Sequence, residues 1–220
     1  YNGAQRYRED QQMQRNRCNV VFDMGNVLMT FNGMEFARAF TECESDAVLL
    51  NDALFARDSW ALLDAGVIEH DTVRRIAEDH LPMRLHPALH ACLLHWPELS
   101  RPLEDVCAIV RDLHERGFGL YLLSNASTRI DLQLAGCPVY PLMDGRVVSG
   151  FERIMKPDPA IYRLLCERFD LAPSTCLFVD DNLDNCRGAE VAGMRSFHFA
   201  DGAAALRRAI DAHAQACDHA

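Results

Sequence analysis

The 220-residue sequence contains no uninterrupted apolar stretch of ~18 residues, about the least that spans a bilayer as a helix, so no segment is expected to cross a membrane. Positive charge is scarce: Lys and Arg number 22 against 32 Asp and Glu, a formal net charge of −10. A nucleic-acid partner needs a basic face to meet its phosphates, so neither DNA nor RNA is expected. A small anion is not excluded by that balance, because one metal ion or lysine reverses the field inside a single pocket. Residues Tyr1 to Arg17 lack the apolar core of a secretory signal and read as a polar tail. The nine cysteines include no CxxC pair, and their number is odd. Scattered through apolar runs, they are expected to be reduced, mostly buried thiols of a cytoplasmic protein, with no disulfide framework.

Hydrophobic residues make up 49% of the chain, enough for a packed interior. Cys18 to Phe22 reads as a strand ending at Asp23, with Gly25 and Asn26 as turn residues. From about Gly33 to Pro97 the apolar residues fall at helical spacing (Phe36 and Phe40, Leu50 and Leu54), which predicts four or five helices broken at Pro82, Pro87 and Pro97. A strand–helix rhythm returns after Arg101. Helices are predicted over 103–116, 128–134, 159–169, 183–192 and 203–212. Strands are predicted over 118–123, at Val139-Tyr140, and over 176–179 and 195–199. Strands apolar on both faces and alternating with helices imply a doubly wound parallel α/β sheet. The organisation expected is a tail over 1–17, an α/β core over 18–32 and 101–220, and a helical insertion over 33–100.

Three apolar strands end in polar or acidic residues: Asp23, Ser124-Asn125 and Asp180-Asp181. In an open α/β sheet the ligand crevice lies beyond the carboxyl ends of the strands, so these distant residues are expected to converge there. Lys156 precedes a predicted helix and can reach the same crevice. Asp23 and Asp181 offer hard oxygen ligands suited to Mg²⁺. A carboxylate can attack phosphorus to form an aspartyl-phosphate, while Lys156, Ser124 and Asn125 neutralise or hydrogen-bond the transferring group.

With these four motifs in view, the chain resembles the haloacid dehalogenase superfamily of hydrolases from Cys18 onward. Val20-Val21-Phe22-Asp23-Met24-Gly25-Asn26-Val27-Leu28 is similar to the family's nucleophile loop, and Leu122-Leu123-Ser124-Asn125 to its second motif. Ser149-Gly150 through Lys156-Pro157-Asp158-Pro159 is similar to the third motif, and Phe178-Val179-Asp180-Asp181-Asn182 to the acidic fourth. The resemblance implies a Rossmann-like core with the helical insertion as a C1-type cap. It implies Asp23 as nucleophile and metal ligand, Lys156 as a catalytic and phosphate-binding cation, and Ser124 and Asn125 as phosphate-binding residues. It also implies Mg²⁺ held by Asp23, the Gly25 backbone carbonyl and Asp181, with Asp180 behind them or itself a ligand. The Asp-x-Gly-Asn opening is similar to α-glucose-1-phosphate-type sugar phosphatases, which implies a small phosphorylated metabolite, a sugar phosphate favoured, as substrate.

Two positions depart from the family pattern. Gly25 stands where most of its phosphatases carry a second Asp that donates and then accepts a proton, and losing such a group costs ~10²–10⁴-fold in rate. The next carboxylate along the chain is Glu35. Asn185 stands where many relatives carry Asp. Gly25 therefore keeps open a weakened or non-catalytic phosphate- or partner-binding protein. A 2-haloacid dehalogenase is disfavoured by Asp180-Asp181, since the family's dehalogenases place neutral residues there. His86, His90 and His95 lie near zinc-ligand spacing but lack a third ligand or a Glu in a HExxH arrangement, so solvated or half-buried histidines of the insertion are expected. Arg57, Asp58, Trp60 and Asp64 of the insertion are candidates for substrate contact or for an ordinary amphipathic helix. Nothing in the sequence marks an oligomer interface.

Overall fold

The computed structural model describes residues 18–217, so the predicted tail over 1–17 lies outside the described residues. Five strands, β1 (Asn19–Phe22), β2 (Gly119–Ser124), β3 (Gly145–Val148), β4 (Cys176–Asp180) and β5 (Arg195–His198), form one sheet in the order β3-β2-β1-β4-β5. Every pairing is parallel, with Val21 opposite Tyr121 on one side and Phe178 on the other. Alternation of side chains across the sheet divides the core in two. Val20, Phe22, Leu120, Leu122, Leu177 and Val179 pack with Val110 and Leu113 of α6 (Glu104–Glu115) and Leu206 of α11 (Gly202–Cys217). Val21, Tyr121, Leu123 and Phe178 pack with Ile161 and Leu165 of α9 (Pro159–Phe169) and Ala189 of α10 (Leu183–Val191). The predicted parallel α/β core, helices on both faces, is what the chain forms.

One predicted strand is corrected. Val139-Tyr140 is not extended; Tyr140–Leu142 is a 3₁₀ turn, and the third strand is Gly145–Val148 instead. Pro141 has no N–H to give a ladder and turns the chain early, while Val139 is buried as a loop anchor in the core.

Between β1 and α6 lie five helices: α1 (Gly33–Ala39), α2 (Glu44–Leu54), α3 (Asp58–Asp64), α4 (His70–Asp79) and α5 (His86–His95). They enclose their own core of Phe36, Leu50, Leu54, Leu63, Val73 and Leu89. Asn32 starts α1 by accepting hydrogen bonds from the amides of Met34 and Glu35. Pro82 and Pro97 do sit at breaks. Pro87 does not: it occupies the first turn of α5, where a missing N–H costs nothing. The two connections to the sheet run side by side, with the Thr30 amide donating to the Arg101 carbonyl at 2.8 Å and the Leu103 amide to that of Leu28 at 2.9 Å. Beyond α3, Gly66 turns the chain at φ 67° with its Cα pressed against the Gly150 backbone, so a Cβ there would strike the Gly150 carbonyl. Short segments α7 (Ile130–Leu134) and α8 (Ser149–Glu152) complete the α-helices.

The expectation of reduced thiols throughout is also corrected. Helix α11 runs five residues past its predicted end and carries Cys217 to 5.9 Å, Cα to Cα, from Cys18, with which it forms a disulfide. The other seven cysteines are free, six of them buried. Burial pushes the thiols of Cys92 and Cys186 up, to about 12 and about 11, so they stay protonated and unreactive.

Candidate active site

β1, β2 and β4 end at one edge of the sheet, and the residues that follow them meet there. The Asp23 amide continues the β1 ladder by donating to the Val179 carbonyl at 2.9 Å, which sets the Asp23 side chain at the strand's mouth. Lys156 reaches in from the loop before α9. Its Nζ lies 2.7 Å from Asp23 Oδ1 and 2.6 Å from Asp180 Oδ2, with the Lys156 and Asp180 side chains 1% and 0% exposed. Burial opposes the Lys156 charge, but the two carboxylates outweigh it and hold the ammonium above its usual pKa. Burial raises the Asp23 carboxyl, to about 6; Lys156 pulls against that rise and Asp180 adds to it. The ion pair with Lys156 favours the ionised form of Asp23.

Asp180 has no spare acceptor capacity. Besides Lys156, it takes the Asn182 amide at 2.8 Å and Asn185 Nδ2 at 3.0 and 3.1 Å. Asn185 thus holds the carboxylate that holds Lys156. Among the described residues, Asp181 accepts from one side-chain donor, Asn26 Nδ2 at 3.1 Å. Carboxylate oxygens of Asp23, Asp180 and Asp181 lie within 4.8 Å of one another. This donor set is all hard oxygen, which fits a cation such as Mg²⁺, and Asp23 with Asp181 supplies the one or two carboxylates that ion takes.

Ser124, at the end of β2, is buried and lines the cavity above Asp23. Asn125 lines the same cavity and also braces Lys156. Its Oδ1 accepts from the Lys156 amide and its Nδ2 donates to the Lys156 carbonyl, both at 2.9 Å. These two bonds clamp the Lys156 loop from the end of β2.

The cavity has a volume of about 280 Å³. Asp23, Gly25, Ser124, Asn125, Lys156 and Asp181, all predicted, line its floor. Trp60 and Asp64 of the helical unit line its far side; Arg57, Asp58 and Glu35 do not reach it. The three histidines are spoken for elsewhere: His90 pairs with Glu78 at 2.6 Å, His95 with Glu98 at 2.8 Å, and His86 meets the backbone carbonyls of Glu78 and Leu81.

Sequence reasoning missed several lining residues. Asn26, read as a turn residue of the nucleophile motif and given no site role, adopts a left-handed φ of 54°, accepts from the Phe31 amide and donates to Asp181, so it ties the nucleophile loop to the acidic motif. Its place next to Gly25 was the available signal. Phe31, Trp96, Ile130 and Leu132 add an apolar wall, and His70, Ser127, Arg129 and Gln133 a polar one. Phe31, Trp60 and Trp96 touch one another, with ring centroids 5.4 to 6.3 Å apart. No motif marks these residues, because they converge only through the packing of the helical unit on the sheet.

The haloacid dehalogenase-like hydrolase family model matches residues 19–193, from the first strand to the end of the α10 turn. The chain belongs to the haloacid dehalogenase-like hydrolase family. Within it, the chain is 26% identical over 188 residues to a sesquiterpene phosphatase of Aspergillus oryzae, covering 84% of this chain and 91% of that one. It is 24% identical over 196 residues to a D-ribitol-5-phosphate phosphatase of Bacteroides thetaiotaomicron, covering 84% and 93%. Among solved structures, a haloacid dehalogenase-family enzyme of Bacteroides thetaiotaomicron, in complex with magnesium and inorganic phosphate, superposes with a TM-score of 0.63 at 19% identity, covering 81% and 92%. These curated family relatives are phosphatases, and the solved neighbour shares the fold of this hydrolase.

Proposed function

We propose that this hydrolase is a Mg²⁺-dependent phosphomonoester phosphatase of a small metabolite, acting through an aspartyl-phosphate on Asp23. The observation that carries the reading is Lys156, buried and bridging Asp23 and Asp180 at the mouth of the sheet with Ser124 beside it. An ionised carboxylate there can attack phosphorus, and a buried cation and hydroxyl can meet the charge on the phosphoryl oxygens. Mg²⁺ held by Asp23, Asp181 and the Gly25 carbonyl would supply Lewis-acid neutralisation of the phosphoryl group when bound. Asp180, saturated by Lys156, Asn182 and Asn185, orients the lysine instead of meeting the ion. The acidic pair Asp180-Asp181 weighs against dehalogenation, and the helical unit over 33–100 serves as the cap that closes over the alcohol.

A sugar phosphate suits the polar side of the cavity, where His70, Ser127, Arg129 and Gln133 can meet hydroxyl groups. The D-ribitol-5-phosphate phosphatase relative agrees with that reading. A second reading, a hydrocarbon alcohol, is favoured by the wall of Phe31, Trp60, Leu93, Trp96, Ile130 and Leu132, and the sesquiterpene phosphatase relative agrees with it. Rapid acid quench during turnover of a ³²P-labelled phosphoester tests the shared chemistry. Label retained covalently by the wild type and absent from Asp23→Asn supports the reading; no covalent label during active turnover overturns it. Comparing kcat/KM for sugar phosphates and prenyl-type monophosphates then separates the two alcohols.

A further inference from the structure

We propose that Asp64, the last residue of α3, is the acid–base catalyst of this site, standing in for the carboxyl that Gly25 does not bring; this rests on the phosphatase reading above. Among the described residues, the floor of the cavity offers no other carboxyl free to act as a general acid. Lys156 is held between two carboxylates, Asp180 is saturated, and Asp181 lies with Asp23 on the metal side. Glu35, the next carboxylate in the chain, is exposed on α1, away from the cavity. Among the described residues, Asp64 is the one carboxylate of the helical unit that lines the cavity, on the side where the proposed cap would meet an ester's alcohol.

Its placement is built. Trp60 and Asp64 are four residues apart on α3 and share one helix face, so an aromatic platform and a carboxyl face the cavity together. The backbone amide of Ser127, in the loop that follows Ser124, favours the ionised form of the Asp64 carboxyl. The Asp64 carbonyl accepts from buried Ser149 Oγ at 2.5 Å, and Ser149 also receives the Ala126 amide. Gly66, pressed on Gly150, fixes the turn that follows. The acid's helix end is thereby anchored to the loop that follows Ser124.

Its protonation suits the task. Burial pushes the Asp64 carboxyl up to about 7, the Ser127 amide opposes that rise and the Asp23 charge adds to it. The other charged or titratable groups lining the cavity are Lys156, Asp181, Arg129 and His70, and burial and Arg129 lower the His70 pKa. Near neutral pH, Asp64 is present both as acid and as base, the condition a group working in both directions needs. In the first step, an Asp23 oxygen bonds to phosphorus, the P–O bond to the alcohol breaks, and the Asp64 proton passes to the departing oxygen. In the second, the Asp64 carboxylate takes a proton from water as its oxygen bonds to phosphorus. The bond to Asp23 breaks, releasing phosphate and leaving Asp64 protonated again.

The test uses single-turnover kinetics with Mg²⁺ on an alkyl phosphate and on 4-nitrophenyl phosphate, whose leaving group needs little protonation. Asp64→Asn is expected to slow alkyl release ~10²–10⁴-fold and nitrophenol release by less than about 10-fold, with phosphoenzyme accumulating. Gly25→Asp in the Asp64→Asn background is expected to restore part of the alkyl rate, since a Cβ at Gly25 meets nothing closer than Phe31 Cβ at 3.7 Å. Equal slowing on both esters, or no slowing on either, overturns the assignment. Asp23→Asn runs beside them. If it keeps wild-type release of both leaving groups, the nucleophile reading itself fails, a result distinct from any that concerns Asp64.

Discussion

The Lys156 ammonium lies 2.7 Å from the Asp23 carboxylate, both buried, although 133 positions separate them in the chain. Asp180 completes the arrangement from the other side at 2.6 Å. A single cation thus compensates two carboxylates that would otherwise repel each other out of water. Lys156→Met removes that compensation and leaves two buried charges. It is expected to destabilise the fold by about 3–5 kcal/mol, read as a lower urea midpoint, and to abolish turnover. An unchanged midpoint would mean the carboxylates are solvated in solution.

Asn125 is expected to act through Lys156. Asn125→Ala removes both hydrogen bonds to the Lys156 peptide, so kcat should fall while the fold persists by circular dichroism. A loss of roughly 10–100-fold is anticipated, in line with loss of a group that orients a catalytic residue. A change confined to KM would assign Asn125 to substrate binding alone.

Strand ends were legible because apolar runs stop abruptly at Asp23, Ser124 and Asp180, and a parallel sheet gathers such ends at one edge. Lys156 was legible through its place before the Pro159 helix and its family motif. β3 was not, because Gly145 and Arg146 carry little β signal and sit only half-buried at the edge of the sheet. The Cys18–Cys217 bridge spans 199 positions, and no local pattern pairs residues so distant. Trp60 and Asp64 were legible only as candidates beside Arg57 and Asp58, and Phe31 and Trp96 not at all, since which of them line the cavity depends on how the helical unit seats on the sheet.

Asp64 should also make stability pH-dependent. Its folded pKa of about 7 lies above the ordinary 3.8, so the folded state binds the extra proton. That contribution is fully present below the ordinary value and is lost as pH rises through about 7. In EDTA, Asp64→Asn should gain about 1–3 kcal/mol on the wild type between pH 4 and pH 8, measured by urea unfolding at each pH. A difference that does not vary with pH would contradict the burial of this carboxyl.

Gly66→Ala tests the seating of the helical unit. The φ of 67° and the Gly150 carbonyl against which it packs both oppose a methyl group. A loss of about 1–3 kcal/mol is expected, with kcat reduced because Asp64 lies two residues away. Wild-type stability and rate would mean that this turn repacks freely.

The most direct test of the phosphatase account is phosphate release from a panel of sugar phosphates, prenyl-type monophosphates and an aryl phosphate. It compares Mg²⁺ with EDTA, and wild type with Asp23→Asn. The account predicts release that needs Mg²⁺ and falls at least ~10³-fold in the variant, whose circular dichroism is unchanged. Release that persists in EDTA, or that Asp23→Asn sustains at the wild-type rate, would contradict it.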